Sequence, residues 1–377
     1  MTATVLGTAG RLAGEEWDAL AGRGFSLHGW HAAAEASGWL PRHVVVRAGE
    51  SVAGIVPAYL LDGGSALDLH DRWLGPAGSL MAAAGLCLRP TISVGAPCSA
   101  TTSWLGELEA LSDDAIAQVF GALEAQAKED GARAVVWPFV DERHARLREV
   151  ARRLGYLDCY AGSTAVLPVA WASFDDYVAA QSKGVRRTIR AELRWVAERG
   201  YRAVMTPDFR SHVEEIAALH RAGLGRHRGR DAEVPASLFA RLAEHPASGI
   251  WAQLTWRHER LVGSSMSVAA GGVLDGTFAA FAPGLLGGPV YHNDLVYEPV
   301  RLACARHLRA LDLGPTALYP KVLRGARLRR RRALVRGTSR AVHGALRALA
   351  PLVAARTEWK ERRSLAAIGS LEALTDR

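Results

Sequence analysis

Apolar and polar positions alternate along this chain with two periods, and the switches between them outline an ordered series of helices and strands. Helical spacing at 15–20 and 27–36, the latter stopped by Gly38, precedes strand-like runs at 43–47 and 52–61 across the turn Gly49-Glu50-Ser51. A helix at 113–131, a buried strand at 132–139 and a helix at 143–154 closed by Gly155 follow. Beyond a strand at 163–168, Ser173 is a natural N-cap for a helix at 174–180, and a helix at 182–199 is closed by Gly200. The pattern continues with a strand at 201–205, a helix at 212–222 and a Gly- and Arg-rich loop at 222–235. A hairpin at 250–257 and 261–270, a strand at 277–282, a helix at 297–311 and a strand at 317–323 come next, with short helices at 345–355 and 359–374.

Two features recur in the same order. Residues 88–96 share Leu, Pro, Gly and Ala at matching offsets with residues 318–326, and the hairpins 43–59 and 252–269 each place a glycine, Gly54 or Gly263, early in the second strand. A chain of 377 residues also exceeds one ordinary core. The pattern therefore predicts an α/β protein of two tandem lobes, at 1–160 and 161–335, each a mixed sheet flanked by helices. A basic helical tail at 336–377 completes it.

Composition narrows the class. Apolar residues at 49% and charged residues at 22% fit a globular protein and exclude a disordered one. No apolar run approaches the roughly 18 residues of a membrane helix, and residues 1–14 lack a secretory leader, so a cytoplasmic protein without an integral membrane segment is expected. The four cysteines form no C-x-x-C pair and no metal-ligand spacing, which predicts buried thiols and no metal site. Charge changes the picture more. Residues 1–150 hold 11 Lys and Arg against 18 Asp and Glu, whereas residues 151–377 hold 35 against 20. That asymmetry directs the second half toward an anion: nucleic acid, a phosphorylated cofactor or a membrane surface.

The segment from Gln181 to Arg194 has the sharpest pattern. Wound as a helix, Val185, Ile189, Leu193 and Val196 make one apolar stripe, and Lys183, Arg187, Arg190 and Arg194 make a basic stripe opposite, with Glu192 and Glu198 the only interruptions. Such a ridge either grips phosphates at fixed spacing or is a solvated helix face. Ser182, Lys183, Arg186, Arg187, Ile189 and Arg190 resemble the Ser-Lys-x-x-Arg-x-x-Ile/Arg helix of FemAB-like aminoacyltransferases, a branch of the GNAT superfamily. The stretch 291–297 resembles a Leu-His-Phe-Glu-x-x-Tyr segment of an uncharacterised FemAB-like family of bacterial proteins, with Asn293 and Asp294 in place of Phe and Glu. Residues 321–325 resemble its Lys-x-x-Arg-Gly segment, and 38–43 and 56–60 its first lobe. The resemblance spans residues 15–335. It implies two GNAT-like lobes and an amide-forming transfer of an aminoacyl group from aminoacyl-tRNA to the amine of a small molecule or a peptide.

Within that reading His292, Asp294, Tyr297 and Lys321 are the catalytic candidates. His292 would take the amine proton, with Asp294 orienting it or acting in its place. Tyr297 would protonate the leaving group, and Lys321 would hold a phosphate, a carboxylate or the oxyanion. The competing reading makes His292 and Asp294 caps of the helix that begins near Tyr297. Residues 283–289 are glycine-rich but lack the pyrophosphate cradle of CoA-dependent GNAT enzymes. That weighs toward aminoacyl-tRNA as co-substrate and leaves acyl-CoA the alternative, with no other cofactor. The acid-free stretch 323–340 contributes Arg324 and the run Arg329, Arg330, Arg331 and Arg332 as further candidate phosphate ligands. An anionic membrane or plain solvation competes for that stretch. A non-catalytic binder of RNA or of an envelope precursor remains the third reading.

Overall fold

The structure, a computed structural model, describes residues 1–21, 24–62, 76–99, 104–106, 111–228, 236–244, 249–369 and 374–375. The chain forms two compact units. The first combines Met1–Ser163 with Arg329–Leu371, and the second combines Thr164–Leu328 with Glu372–Arg377.

In the first unit, β1 (Thr2–Leu6), α1 (Gly14–Leu20), α2 (His28–Ala36), β2 (Leu40–Pro41), β3 (His43–Ala48), β4 (Ser51–Val56) and β5 (Ala58–Leu61) precede α3 (Pro76–Ala83) and β6 (Thr91–Val94). Then come α4 (Asp113–Glu129), β7 (Ala134–Asp141), α5 (Ala145–Arg153) and β8 (Leu157–Pro168), which leaves the unit after Ser163. Pro57 splits the strand expected at 52–61 into β4 and β5, which enter different sheets. One sheet has the order β1-β3-β4. α4 starts where Ser112 accepts from the Ala115 amide and where Asp113 and Asp114 meet the positive helix end. Its apolar face, from Ile116 to Leu123, packs with Trp137 of β7 into the unit's main core.

The second unit carries α6 (Phe174–Ala180), α7 (Lys183–Glu198), β9 (Tyr201–Thr206), α8 (Val213–Arg228), α9 (Ala236–Ala243), β10 (Ile250–Arg257), β11 (Arg260–Ala270) and β12 (Val273–Phe281). α10 (Pro289–His292) runs through a π-helical turn at Asn293–Tyr297 into α11 (Glu298–Ala305), followed by β13 (Ala310–Asp312) and α12 (Leu318–Leu323). Residues 166–168 of β8 join β13, β12, β11, β10 and β9 in that order. β12 and β13 run parallel and the other pairs antiparallel. β14 (Arg327–Gly337) and α13 (Arg340–Leu365) return the chain to the first unit, where β14 pairs antiparallel with β7 and sits between β7 and β8. With β6 and β7 parallel, the first unit's larger sheet is also mixed. The expected fold class, mixed sheets flanked by helices, is the one observed.

Four expectations need correction. Residues 317–323 form no strand: α12 buries Leu318, Lys321 and Val322 on one helical face. The match of 88–96 with 318–326 therefore pairs a strand with a helix and is not a structural repeat. The hairpin match is structural: Gly54 opposes Val46 and Gly263 opposes Thr255, each beside a register shift. Residues 336–377 are no appended tail. Gly337 ends a strand buried on both faces, and α13 is one helix through Pro351 whose Val342, Leu346 and Val353 pack on Val136 and Val335. Residues 222–228 of the expected loop extend α8, and 229–235 lie outside the described residues. No described helix is long and apolar enough to cross a membrane.

Candidate active site

Three elements of the second unit bring four polar side chains together. α7 supplies Glu192, the helix from α10 onward supplies His292 and Tyr297, and the residue after α12 supplies Arg324. Ser182 fixes the start of α7 by accepting from the Val185 amide. Ile189 and Val196, buried one turn to either side of Glu192, hold it at the seam between the apolar face and solvent. The Arg324 guanidinium donates to both Glu192 oxygens at 2.9 Å, to the Tyr297 hydroxyl at 2.8 Å and to the Pro320 carbonyl at 2.9 Å. Tyr297 donates to Glu192 Oε2, and Tyr177 donates to the Arg324 carbonyl at 3.0 Å.

His292 Nδ1 lies 2.9 Å from Glu192 Oε1 and 2.9 Å from Arg324 Nη2. With a carboxylate and a guanidinium as neighbours, the proton belongs on Nδ1, donated to Glu192. The Arg324 N–H groups already have the two carboxylate oxygens as acceptors. This tautomer leaves the Nε2 lone pair, which bonds to no described residue, as the site's basic atom. Burial works against ionisation of Glu192. Hydrogen bonds from His292 and Tyr297 and the Arg324 charge outweigh it, holding the carboxyl down at about 2. Burial drives the Tyr297 phenol well above its usual range.

The other sequence candidates separate. Asp294 points away from His292, into the sheet, where its Oδ1 accepts from Thr255 at 2.8 Å. Asp294 is wholly buried, and burial pushes its carboxyl up to about 7 against the hydrogen bonds that favour ionisation. Its Oδ2 makes no well-formed hydrogen bond, with Asn293 and the buried Gln253 amide as its polar neighbours. Gly263 makes this possible, because a Cβ there would stand 2.7 Å from Oδ2. Asp294 thus does not orient His292; Glu192 does. Tyr297 is not free to protonate a leaving group, since its hydroxyl serves Glu192 and Arg324. Lys321 is 2% exposed and donates to the carbonyls of Leu313 and Gly314. It ties α12 to the end of β13 instead of facing a substrate, and burial lowers its ammonium to about 8.

The basic candidates also divide. Lys183, Arg187, Arg190 and Arg194 are exposed along α7 and pair with no described acid. Arg186 instead turns back to the carbonyls of Ala179 and Gln181. Arg324 belongs to the Glu192 cluster. In β14, Arg330 pairs with Glu142 at 3.0 Å, Arg331 with Asp141 at 3.3 Å and Arg332 with Asp158 at 2.7 Å. Arg331 is 1% exposed, and Arg329 also has partners. That run is therefore part of the first unit's interior and not a solvent-facing phosphate track. In the sequence Glu192 stands only as a gap in the ridge, and sequence reasoning misses it. Its register, three residues after Ile189 and four before Val196, marks a lone acid in line with the apolar stripe. Among the described residues no cluster of His, Cys, Asp and Glu suits a metal ion. Cys98, Cys159 and Cys304 are buried thiols and Cys87 is half-buried.

The profile of the FemAB-like family, described as peptidoglycan biosynthesis/recognition, matches residues 9–348. No curated protein matches. Among solved structures, FemX superposes with a TM-score of 0.58 at 12% identity, covering 86% of this chain and 96% of FemX. L-PGS from Bacillus licheniformis superposes with a TM-score of 0.54 at 11% identity, covering 89% of this chain and 95% of that one. At these identities the likeness is one of fold.

Proposed function

Starting from the chain's membership of the FemAB-like family, a branch of the GNAT fold, we propose that it is an amide-forming transferase. It moves an aminoacyl group from aminoacyl-tRNA to the amine of a peptidoglycan precursor or related peptide. The observation that carries this reading is His292, backed at Nδ1 by Glu192 and open at Nε2, with an unpaired basic stripe on the helix that supplies Glu192.

The amine nitrogen attacks the ester carbonyl, and the C–N bond forms as its proton passes to His292 Nε2. Glu192 stabilises the resulting imidazolium, while Arg324 and Tyr297 keep Glu192 ionised and fixed. The C–O bond to the terminal ribose then breaks, and the departing oxygen takes the proton from Nε2. Aminolysis of an ester runs downhill, so positioning and proton transfer supply the catalysis. The α7 ridge would bind the donor's phosphates.

Incubation with charged tRNA and amine-bearing cell-wall precursors, with and without RNase, tests the reading. Product that forms only with intact charged tRNA supports it. Product that survives RNase and requires acetyl-CoA replaces it with a CoA-dependent N-acyltransferase.

A further inference from the structure

The transfer chemistry leaves one long surface of the first unit unused. α13 buries Val342, Leu346, Ala350 and Val353 in the unit's core, and Leu365 is buried near its end. Seven residues apart on its opposite side, Leu352 is 67% exposed and Trp359 is 56% exposed. Seven residues are two helical turns, so the two side chains share a stripe. Arg356 and Arg363 fall on that stripe and Lys360 beside it, all exposed. The Arg363 guanidinium lies 5.3 Å from the centre of the Trp359 ring.

The acids of α13 are turned inward. Glu361 accepts from Tyr160 and from the Ser163 amide and hydroxyl, and Glu358 pairs with Arg330 and Arg362. The outward face therefore carries positive charge and large apolar side chains with no acid to balance them. α3 packs beside α13 and adds Leu80, which is 65% exposed. Scattered exposed leucines are ordinary on protein surfaces. An exposed tryptophan and leucine in phase on one helix, bracketed by basic residues, are the composition of a helix lying in a membrane interface.

We propose that the outer face of α13 docks on an anionic lipid surface. Arg356, Lys360 and Arg363 would engage the headgroups, and Leu352 and Trp359 would enter the boundary between headgroups and acyl chains. Nucleic acid would satisfy the cations and could stack on Trp359, but it gives Leu352 nothing; a lipid surface uses all five. This docking is independent of the transfer reading.

Co-sedimentation of the full chain with phosphatidylglycerol-rich vesicles and with pure phosphatidylcholine vesicles tests the proposal. Binding is expected only to the anionic vesicles. The triple change Arg356→Gln, Lys360→Gln, Arg363→Gln should lower partitioning roughly a hundredfold, at about 1 kcal/mol per basic residue. Leu352→Ser with Trp359→Ser should abolish the residual binding that survives high salt. Unchanged thermal unfolding of both variants would show that α13 still packs, and their turnover of a water-soluble acceptor should stay at the wild-type level. Equal binding to both vesicle types, or wild-type partitioning by either variant, overturns the proposal. Retention of RNA, lost in the triple variant and without vesicle binding, would assign the face to nucleic acid and also overturn it.

Discussion

Glu192 is the residue on which the candidate site turns, because three donors converge on it and its own charge fixes the proton on His292. Glu192→Gln keeps the shape but can present an N–H to His292 Nδ1, favouring the tautomer with Nε2 protonated. Transfer should fall about 10²–10⁴-fold, the usual contribution of a general base, and His292→Ala should cost a similar factor. Single-turnover rates with charged tRNA measure both. The carboxylates also make opposite contributions to stability with pH. Glu192 is held at about 2, so its contribution is complete above the normal glutamate range and is lost as pH falls toward 2. Asp294 is raised to about 7, so its contribution is complete below the normal aspartate pKa and declines as pH rises through 7. Urea midpoints should therefore fall as pH rises from the normal aspartate range to about 7 and level off above it. Asp294→Asn should flatten that decline, because the amide has no charge to acquire. An unchanged slope in the variant would place the titration elsewhere.

At the scale of elements, the sequence is most legible where period and caps agree. α6 begins at its Ser173 cap as expected, and α4 and α7 start where the pattern places them, capped by Ser112 and Ser182. α12 reads as a strand because six residues containing Pro320 are too few to separate a helical period from an extended one. β14 misleads for another reason. Its arginines look like a phosphate-binding track until Asp141, Glu142 and Asp158 from distant stretches neutralise them, which no local pattern reveals. The same blindness to partners hides Glu192 and promotes Lys321, whose acceptors are backbone carbonyls. The α7 ridge and the β14 run therefore predict opposite behaviour. Reversing Arg187 and Arg190 to Glu should leave stability within about 1 kcal/mol. It should weaken tRNA binding and flatten its log–log salt slope by about 0.7–0.9 for each phosphate no longer neutralised, as read by filter binding over a salt series. Arg331→Ala should empty a buried position beside Asp141, which keeps Arg143 as a partner, and cost about 1–3 kcal/mol in denaturant unfolding. A ridge reversal that leaves the salt slope untouched would make α7 a plain solvated face.

At the scale of the whole molecule, the chain leaves the first unit after Ser163, builds the second, and comes back at Arg329 to finish the first. Tandem lobes read from sequence order hide this, because charge and period alone make 336–377 look like an appendage. Leu334 lies in the core with Val119 and Trp137, whereas Val335, Val342 and Leu346 lie in the core with Val136 and Met81. Each such burial is worth roughly 1.5–3 kcal/mol, so four of them rival the whole net stability of a typical domain, about 5–15 kcal/mol. Removal of β14 would also strip β7, buried along its full length, of one of its two ladder partners and leave backbone groups unpaired. A chain ended after Ala326 should therefore lose the first unit, although the deletion removes no residue of the Glu192–His292 cluster. Hydrogen exchange is the discriminating measurement: amides of β7 and α4 should lose protection in the truncated chain, whereas β10 and β11 should keep theirs. A dispensable tail would leave β7 and α4 as protected as in the full chain, and that outcome would refute the reading of β14 as an interior strand.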